Sequence, residues 1–149
     1  MRALCERAAD EIMSATSERC RIIFECEKIE PGARSDATLL RTILVNLLGN
    51  AVKYSPAGTD VELRLSREGA DAIFTVRDHG SGVPPEELPR LFSSFHRGRG
   101  TEGIPGTGLG LAIVKRCAEA LGGSVSACNA DGGGAEFTVR LPLFPNAER

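Results

Sequence analysis

Residues 39–55, LLRTILVNLLGNAVKYS, decide how the rest of the chain is read. At about 100° per residue, Leu39, Leu40, Ile43, Leu44, Leu47 and Ala51 fill one broad apolar arc, the pattern of an amphipathic helix. Asn46, Asn50 and Lys53 fall within about 60° of one another at the border of that arc. Asn50 lies angularly between Leu39 and Ile43, so its amide is expected to be at least half buried, and a buried amide needs partners. A lone Asn there suits a satisfied core helix. Two Asn and a Lys on one edge indicate a polar site beside a core. Asp36 is expected to cap the helix start, and Ser55-Pro56-Ala-Gly58 to end it.

Working outward, residues 3–15 space Leu4, Ala8, Ile12 and Met13 as a helix face, and residues 20–26 read as a strand with Ile22, Phe24 and Cys26 on one side. Pro31-Gly32 breaks that strand. Residues 61–65 alternate, Gly69-Ala-Asp signals a turn, and residues 72–78 form the next strand. Phe74 and Val76 set its even positions toward the core, so Asp78 points inward at the strand's end, where a carboxylate needs a donor. Residues 80–108 are long and irregular, with Pro84-Pro85, a short helix expected over about residues 86–92, and glycines from Arg97 onward. A connection of that length in a compact domain is usually functional, often a lid, here placed over about residues 83–106. Gly106-Thr107-Gly108-Leu109-Gly110 opens a helix to about residue 121, with Leu109, Ile113, Val114, Cys117 and Leu121 inward. Gly122-Gly123 caps it. Residues 124–128 and 135–141 form a last hairpin with Phe137, Val139 and Leu141 facing in. The expected class is α+β: one domain, a two-layer sandwich with a mixed sheet and helices on one face.

The 149 residues suffice for one domain with a core, and 42% hydrophobic and 26% charged residues are ordinary for a globular fold. A net charge of −2 advertises no nucleic-acid or anionic-membrane partner. No apolar run approaches the ~18 residues of a membrane span, and residues 1–13 do not read as a signal peptide. Five scattered cysteines, no C-x-x-C, and only His79 and His96 argue against a zinc site or a disulfide framework. Reduced core thiols in the cytoplasm are the expectation. The 17 glycines concentrate after position 79, which points to loops that approach a ligand closely.

Three features converge on a nucleotide. Gly106–Gly110 at a helix start gathers unpaired backbone N–H groups and the positive helix end, a geometry that favours phosphate. The Asp78-x-Gly80-x-Gly82 turn sets a carboxylate beside glycines that admit a flat group, and an ionised Asp accepts from an exocyclic amine such as that of adenine. Asn50 can supply a hard oxygen to Mg²⁺, which prefers phosphates plus one or two protein oxygens. No GxxxxGK[ST] occurs, and neither glycine cluster fits the dinucleotide fingerprint. Lys53 and Arg97 are the candidates to meet phosphate charge.

In this order the motifs resemble the catalytic and ATP-binding domain of bacterial sensor histidine kinases, of the gyrase/Hsp90/histidine-kinase/MutL superfamily. Asn46-Leu-Leu-Gly-Asn50-Ala-Val-Lys53-Tyr54-Ser is similar to the N box, and Asp78-His-Gly80-Ser-Gly82-Val83 to the first glycine box. Leu91-Phe92-Ser-Ser-Phe95-His-Arg97-Gly resembles the F box, and Gly106-Thr107-Gly108-Leu109-Gly110-Leu111 the second glycine box. Gly132-Gly-Gly134-Ala-Glu-Phe-Thr-Val-Arg-Leu-Pro142 resembles the closing hairpin. The resemblance implies a Bergerat-type fold that binds ATP and Mg²⁺. Asn50 would ligate the metal, Lys53 contact phosphate, Tyr54 line the ribose and adenine side, and Asp78 read the adenine amino group. Gly80, Gly82 and Val83 would shape that wall, with Asn46 also at the nucleotide. Phe92 and Phe95 would anchor the lid, and Arg97 would reach the γ-phosphate. Gly106, Thr107, Gly108, Leu109, Gly110 and Leu111 would wrap the phosphates.

Two departures refine the expectation. ATPase branches carry a Glu four residues before the metal-binding Asn to activate water; here that position is Asn46, an amide with no basic carboxylate. The site then suits transfer to another nucleophile. Ala135 stands where many relatives have Thr, removing one hydroxyl near adenine, a loss of about 1 kcal/mol for a typical hydrogen bond. The resemblance also implies a phosphoacceptor His on a separate dimerising hairpin, and beyond it a response regulator. His79 lies inside the glycine turn and His96 inside the F box, so neither suits that role. The chain is therefore expected to be a monomeric fragment of a longer kinase or a catalytic domain acting in trans. The rival readings are an ATP-hydrolysing switch, a serine kinase of the same superfamily, or a non-enzymatic nucleotide-binding module.

Overall fold

The computed structural model describes residues 1–27, 36–93 and 110–143. Among the described residues, three α-helices and five strands run in the order α1 (Arg2–Ala15), β1 (Arg21–Cys26), α2 (Ala37–Tyr54), β2 (Asp60–Glu68), β3 (Asp71–Arg77), α3 (Gly110–Ala120), β4 (Ser124–Asn129), β5 (Ala135–Pro142). The sheet order is β1-β2-β3-β5-β4, with β1 parallel to β2 and every other pair antiparallel. The mixed sheet and the α+β class are as expected.

Strand alternation explains why one face is covered. The register aligns Phe24, Leu63, Val76, Phe137 and Ala127 across the sheet, and beside them Cys26, Leu65, Phe74, Val139 and Val125. These rows join the core formed with α1, α2 and α3, in which Leu63, Leu65, Phe74 and Val76 are fully buried. The intervening row, Glu25, Arg64, Thr75, Thr138 and Ser126, is polar. Ion pairs cross the polar face, Arg64 to Glu25 at 3.1 Å and Arg140 to Asp71 at 2.9 Å. Pairs this exposed contribute little to stability.

Helix α2 is the centre of the opposite layer. Asp36 caps it as expected, accepting the Thr38 and Leu39 N–H groups at 2.9 and 3.0 Å. Its Leu40, Ile43, Leu44, Leu47, Leu48, Ala51 and Val52 are buried. Its last carbonyls are closed by Arg19, whose Nη2 donates to Ser55 O at 2.8 Å and Nε to Val52 O at 3.3 Å. A cation at a helix C-terminus also complements the dipole.

Two expectations are corrected. No α-helix forms over residues 86–92; a single 3₁₀ turn spans Leu88–Arg90. Pro89 has no N–H to donate and disfavours the α conformation at Leu88. The backbone bonds here, among them Leu88 N–H to Pro85 O and Arg90 N–H to Glu87 O, reach three residues back. Ile113 is 39% exposed, not inward. The buried stripe of α3 runs through Val114 and Ala118 with partly buried Leu111 and Leu121, and Ile113 lies one residue, about 100°, off it.

All five cysteines are free; Cys5 and Cys20 are buried and Cys128 is exposed, so not every thiol is in the core. Burial pushes the Cys5 thiol up to about 12. Alkylation at about pH 8 is expected to modify Cys128 first and Cys5 only on global unfolding, because the thiolate is the nucleophile; peptide mass mapping reads the order. Leu44→Ala, at a fully buried site, should cost about 2–5 kcal/mol. Asp36→Ala should cost about 1 kcal/mol, and urea unfolding of both variants checks the ordering.

Candidate functional site

Asn46, Asn50 and Tyr54 recur every four residues along α2 and share one half-buried stripe, with Lys53 beside Tyr54. Asn46 Nδ2 donates to the Thr42 carbonyl at 2.7 Å, which commits that amide nitrogen to its own helix. Its Oδ1 meets the start of α3. A Cβ built on Gly110 would lie 3.2 Å from Asn46 Oδ1, 3.5 Å from Asn50 Nδ2 and 3.9 Å from Asn50 Oδ1. Glycine lets the two helices approach this closely. Both amides therefore abut the first turn of α3, whose backbone N–H groups lack intrahelical acceptors and whose dipole end is positive. The Asn50 amide pairs with no other described residue and is not among the buried unsatisfied atoms.

Asp78 follows β3 and is 5% exposed, inward as strand parity requires. Its Oδ1 accepts two backbone N–H groups, from Gly80 and from Ala135, each at 3.0 Å. The Asp78 N–H donates to the Ala135 carbonyl at 2.9 Å. No described residue donates to Oδ2, and Oδ2 is not a buried orphan. One oxygen thus holds the backbone while the other remains an acceptor for a ligand. Two glycines permit this packing. Gly134, at φ +84°, lies against the Asp78 carbonyl, and Gly80 against the Tyr54 carbonyl; a Cβ at either would collide. The His79 N–H donates to Ser55 Oγ at 3.2 Å, and its ring Nε2 lies 3.1 Å from Glu62 Oε2. Helix α2 consequently touches both glycine segments, Gly110 through Asn46 and Asn50, and Gly80 through Tyr54.

Asn46, Asn50, Lys53, Tyr54, Asp78, Gly80 and Gly110 are thereby gathered along α2. Lys53 Nζ lies 5.9 Å from the Tyr54 ring centroid, within cation–π range. Leu111 sits in the first turn of α3, and Gly82 and Val83 lie beyond the Asp78 turn, against β4. Phe92 packs edge-on against Phe137 with centroids 6.3 Å apart. Phe95, Arg97, Gly106, Thr107, Gly108 and Leu109 lie outside the described residues, as does His96. Sequence reasoning missed three contributors: the Ala135 N–H, Ser55, and Asn129, which holds Val83. Ala135 could have been found from its place directly after the hairpin glycines. Asn129 carries no such signal, since its partner is a backbone 46 residues away.

The family model for histidine kinase-, DNA gyrase B- and HSP90-like ATPases matches residues 35–145. The chain belongs to this family. This ATPase-family domain is 32% identical over 142 residues to the sensor protein KdpD of Clostridium acetobutylicum, covering 89% of the chain and 16% of that protein. It is 42% identical over 114 residues to the sensor-like histidine kinase SenX3 of Mycobacterium tuberculosis, covering 75% of the chain and 28% of that protein. The chain thus spans less than a third of either relative. Among solved structures, the mycobacterial sensor histidine kinase MprB superposes with a TM-score of 0.85 at 31% identity, covering 97% of both chains. Full-length ShkA, solved with AMPPNP, superposes with a TM-score of 0.80 at 35% identity, over 96% of this chain and 30% of that one. The resemblance drawn from the five motifs and the sandwich fold are both borne out.

The glycine packing in this ATPase-family domain is testable on its own. Gly134→Ala combines a left-handed φ with a collision against Asp78, whereas Gly133→Ala carries a φ of +108° and meets nothing within 4 Å. Gly134→Ala should therefore lower the melting temperature well beyond the few degrees, about 1 kcal/mol, that conformational strain alone costs at Gly133; calorimetry of the pair reads the difference.

Proposed function

We propose that this domain binds ATP with Mg²⁺ and transfers the γ-phosphate to a histidine on a separate dimerising helical hairpin, and through it to a response regulator. One observation carries this: a single stripe of α2 meets the start of α3 with Asn46 and Asn50, and the Asp78 turn with Tyr54. A ligand along that stripe has a carboxylate oxygen at one end and a helix N-terminus at the other. Asp78 Oδ2 accepts the adenine amino group. The Tyr54 side chain and the Gly80–Val83 turn border the base and ribose. The N–H groups of Gly110 and Leu111, with Lys53, face phosphate. The names of the relatives support the reading, since MprB is a sensor histidine kinase, SenX3 a sensor-like histidine kinase and KdpD a sensor protein.

The residues fit Mg²⁺. No group of three His, Cys, Asp or Glu side chains among the described residues could hold a metal by itself. Mg²⁺ does not require one, since it is commonly held by substrate phosphates plus one or two protein oxygens. Asn50 offers such an oxygen, and the ion when bound would neutralise phosphate charge. The protein's part is positioning and charge stabilisation. Asn46 sits where a water-activating carboxylate would be needed, and its amide is tied to Thr42, so transfer to an external nucleophile is favoured over hydrolysis. His79 is bonded at its ring to Glu62 and at its backbone to Ser55, which suits anchoring rather than phosphoacceptance. No described helix is long and apolar enough to cross a membrane; we assign the domain to the cytoplasm, where ATP and reduced thiols coexist.

Titration calorimetry with ATP, with and without Mg²⁺, tests binding directly. Asp78→Asn keeps an oxygen for the two backbone donors but replaces the ligand acceptor with a donor. ATP affinity should fall about 10–100-fold, the worth of a hydrogen bond to a charged group, while preference shifts toward ITP, whose base presents an acceptor there. Unchanged ATP affinity contradicts the assignment. Asn50→Ala should abolish Mg²⁺-dependent labelling of a supplied histidine-bearing hairpin by radiolabelled ATP; undiminished labelling removes Asn50 from the metal role.

A further inference from the structure

Both backbone groups of Val83 are taken by one side chain. Asn129, the last residue of β4, accepts the Val83 N–H at Oδ1 and donates from Nδ2 to the Val83 carbonyl, each at 2.7 Å. A carboxamide carries an adjacent acceptor and donor, as a peptide unit does, so Asn129 pairs Val83 in the manner of a neighbouring strand. Pro84 follows, which biases Val83 toward the extended backbone that such pairing needs. The contact extends to the preceding glycine: a Cβ at Gly82 would lie 2.8 Å from Asn129 Oδ1. Across the sheet, Asn129 pairs in register with Ala135, whose N–H holds Asp78 Oδ1. The turn that bears Gly80 and Gly82 is thus clamped at both ends by one hairpin, at Asp78 by Ala135 and at Val83 by Asn129.

We infer that Asn129 is a positioning residue for the nucleotide base: acting through Val83, it holds the Gly80–Val83 wall in place relative to the open Asp78 oxygen. This rests on the ATP site proposed above. Asn129 does not itself touch the ligand in this role. Its effect falls on the base end of the nucleotide, not on the phosphates.

The test is calorimetric titration of the 149-residue chain with ATP·Mg²⁺ and with GTP·Mg²⁺, for the unmodified protein, Asn129→Ala and Asn129→Asp. Asn129→Ala removes both bonds and should weaken ATP about ten-fold, with the ATP-over-GTP preference narrowing because wall and carboxylate read the base together. The nucleotide-free chain should melt within about 2 °C of the unmodified one, as for other exposed substitutions. Asn129→Asp keeps the shape and the acceptor but, when ionised, sets an oxygen against the Val83 carbonyl; it should also weaken ATP. Equal ATP affinity and equal ATP-to-GTP ratio in both variants overturn the inference. So does a loss of affinity that tracks a loss of nucleotide-free stability with the ratio unchanged, which marks a purely structural residue. If the unmodified chain fails to bind ATP, the ATP site itself falls and the inference with it, an outcome distinct from the other two.

Discussion

Asp78 Oδ1 accepts two backbone N–H groups, one from its own turn and one from the final hairpin. Burying a carboxylate costs several kcal/mol unless hydrogen bonds replace its lost water. Here the replacement comes from Gly80 and Ala135, and the second oxygen takes no donor among the described residues. The same arrangement that makes the burial tolerable also joins β3, β5 and the glycine turn at one point. Gly134 is required because the Asp78 backbone lies where its side chain would be, and Gly80 because the end of α2 does.

From that junction the site extends along α2. Tyr54 and Ser55 latch the helix end to the turn, Arg19 closes its carbonyls, and Asn46 and Asn50 carry the polar stripe to the start of α3. The apolar side of the same helix is buried in the core. Helix α2 therefore has one rotational setting: turning it to expose more amide would pull leucines into water. Packing on one side of the helix fixes chemistry on the other.

Much of this was legible in the sequence because it follows from period and parity. The amphipathic arc of α2, the Asp36 cap, the even-facing β3 and the inward Asp78 all rest on local repeats that tertiary contacts reinforce. What was not legible depends on partners distant along the chain. Ile113 and Val114 are both apolar, and only the placement of α3 against α2 and the last hairpin decides which is covered. The segment around Pro89 looked helical from its acidic start and apolar end, but a missing N–H donor outweighed that pattern. Asn129 is the exposed last residue of an edge strand, where nothing in its neighbourhood announces a bond to Val83. Ala135 was read as the loss of a hydroxyl; its larger contribution is a backbone N–H, which any residue but proline could supply.

The proposed ATP site requires one ligand to touch both ends of α2's polar stripe. Amide chemical-shift mapping during titration with a non-hydrolysable ATP analogue tests this most directly. The Gly80 and Ala135 amides, the Asn50 side-chain NH₂ and the Gly110 amide should shift together and saturate at one ligand concentration. Shifts confined to the Asp78 turn, or saturating separately from those at Asn50 and Gly110, would contradict a single nucleotide spanning the two.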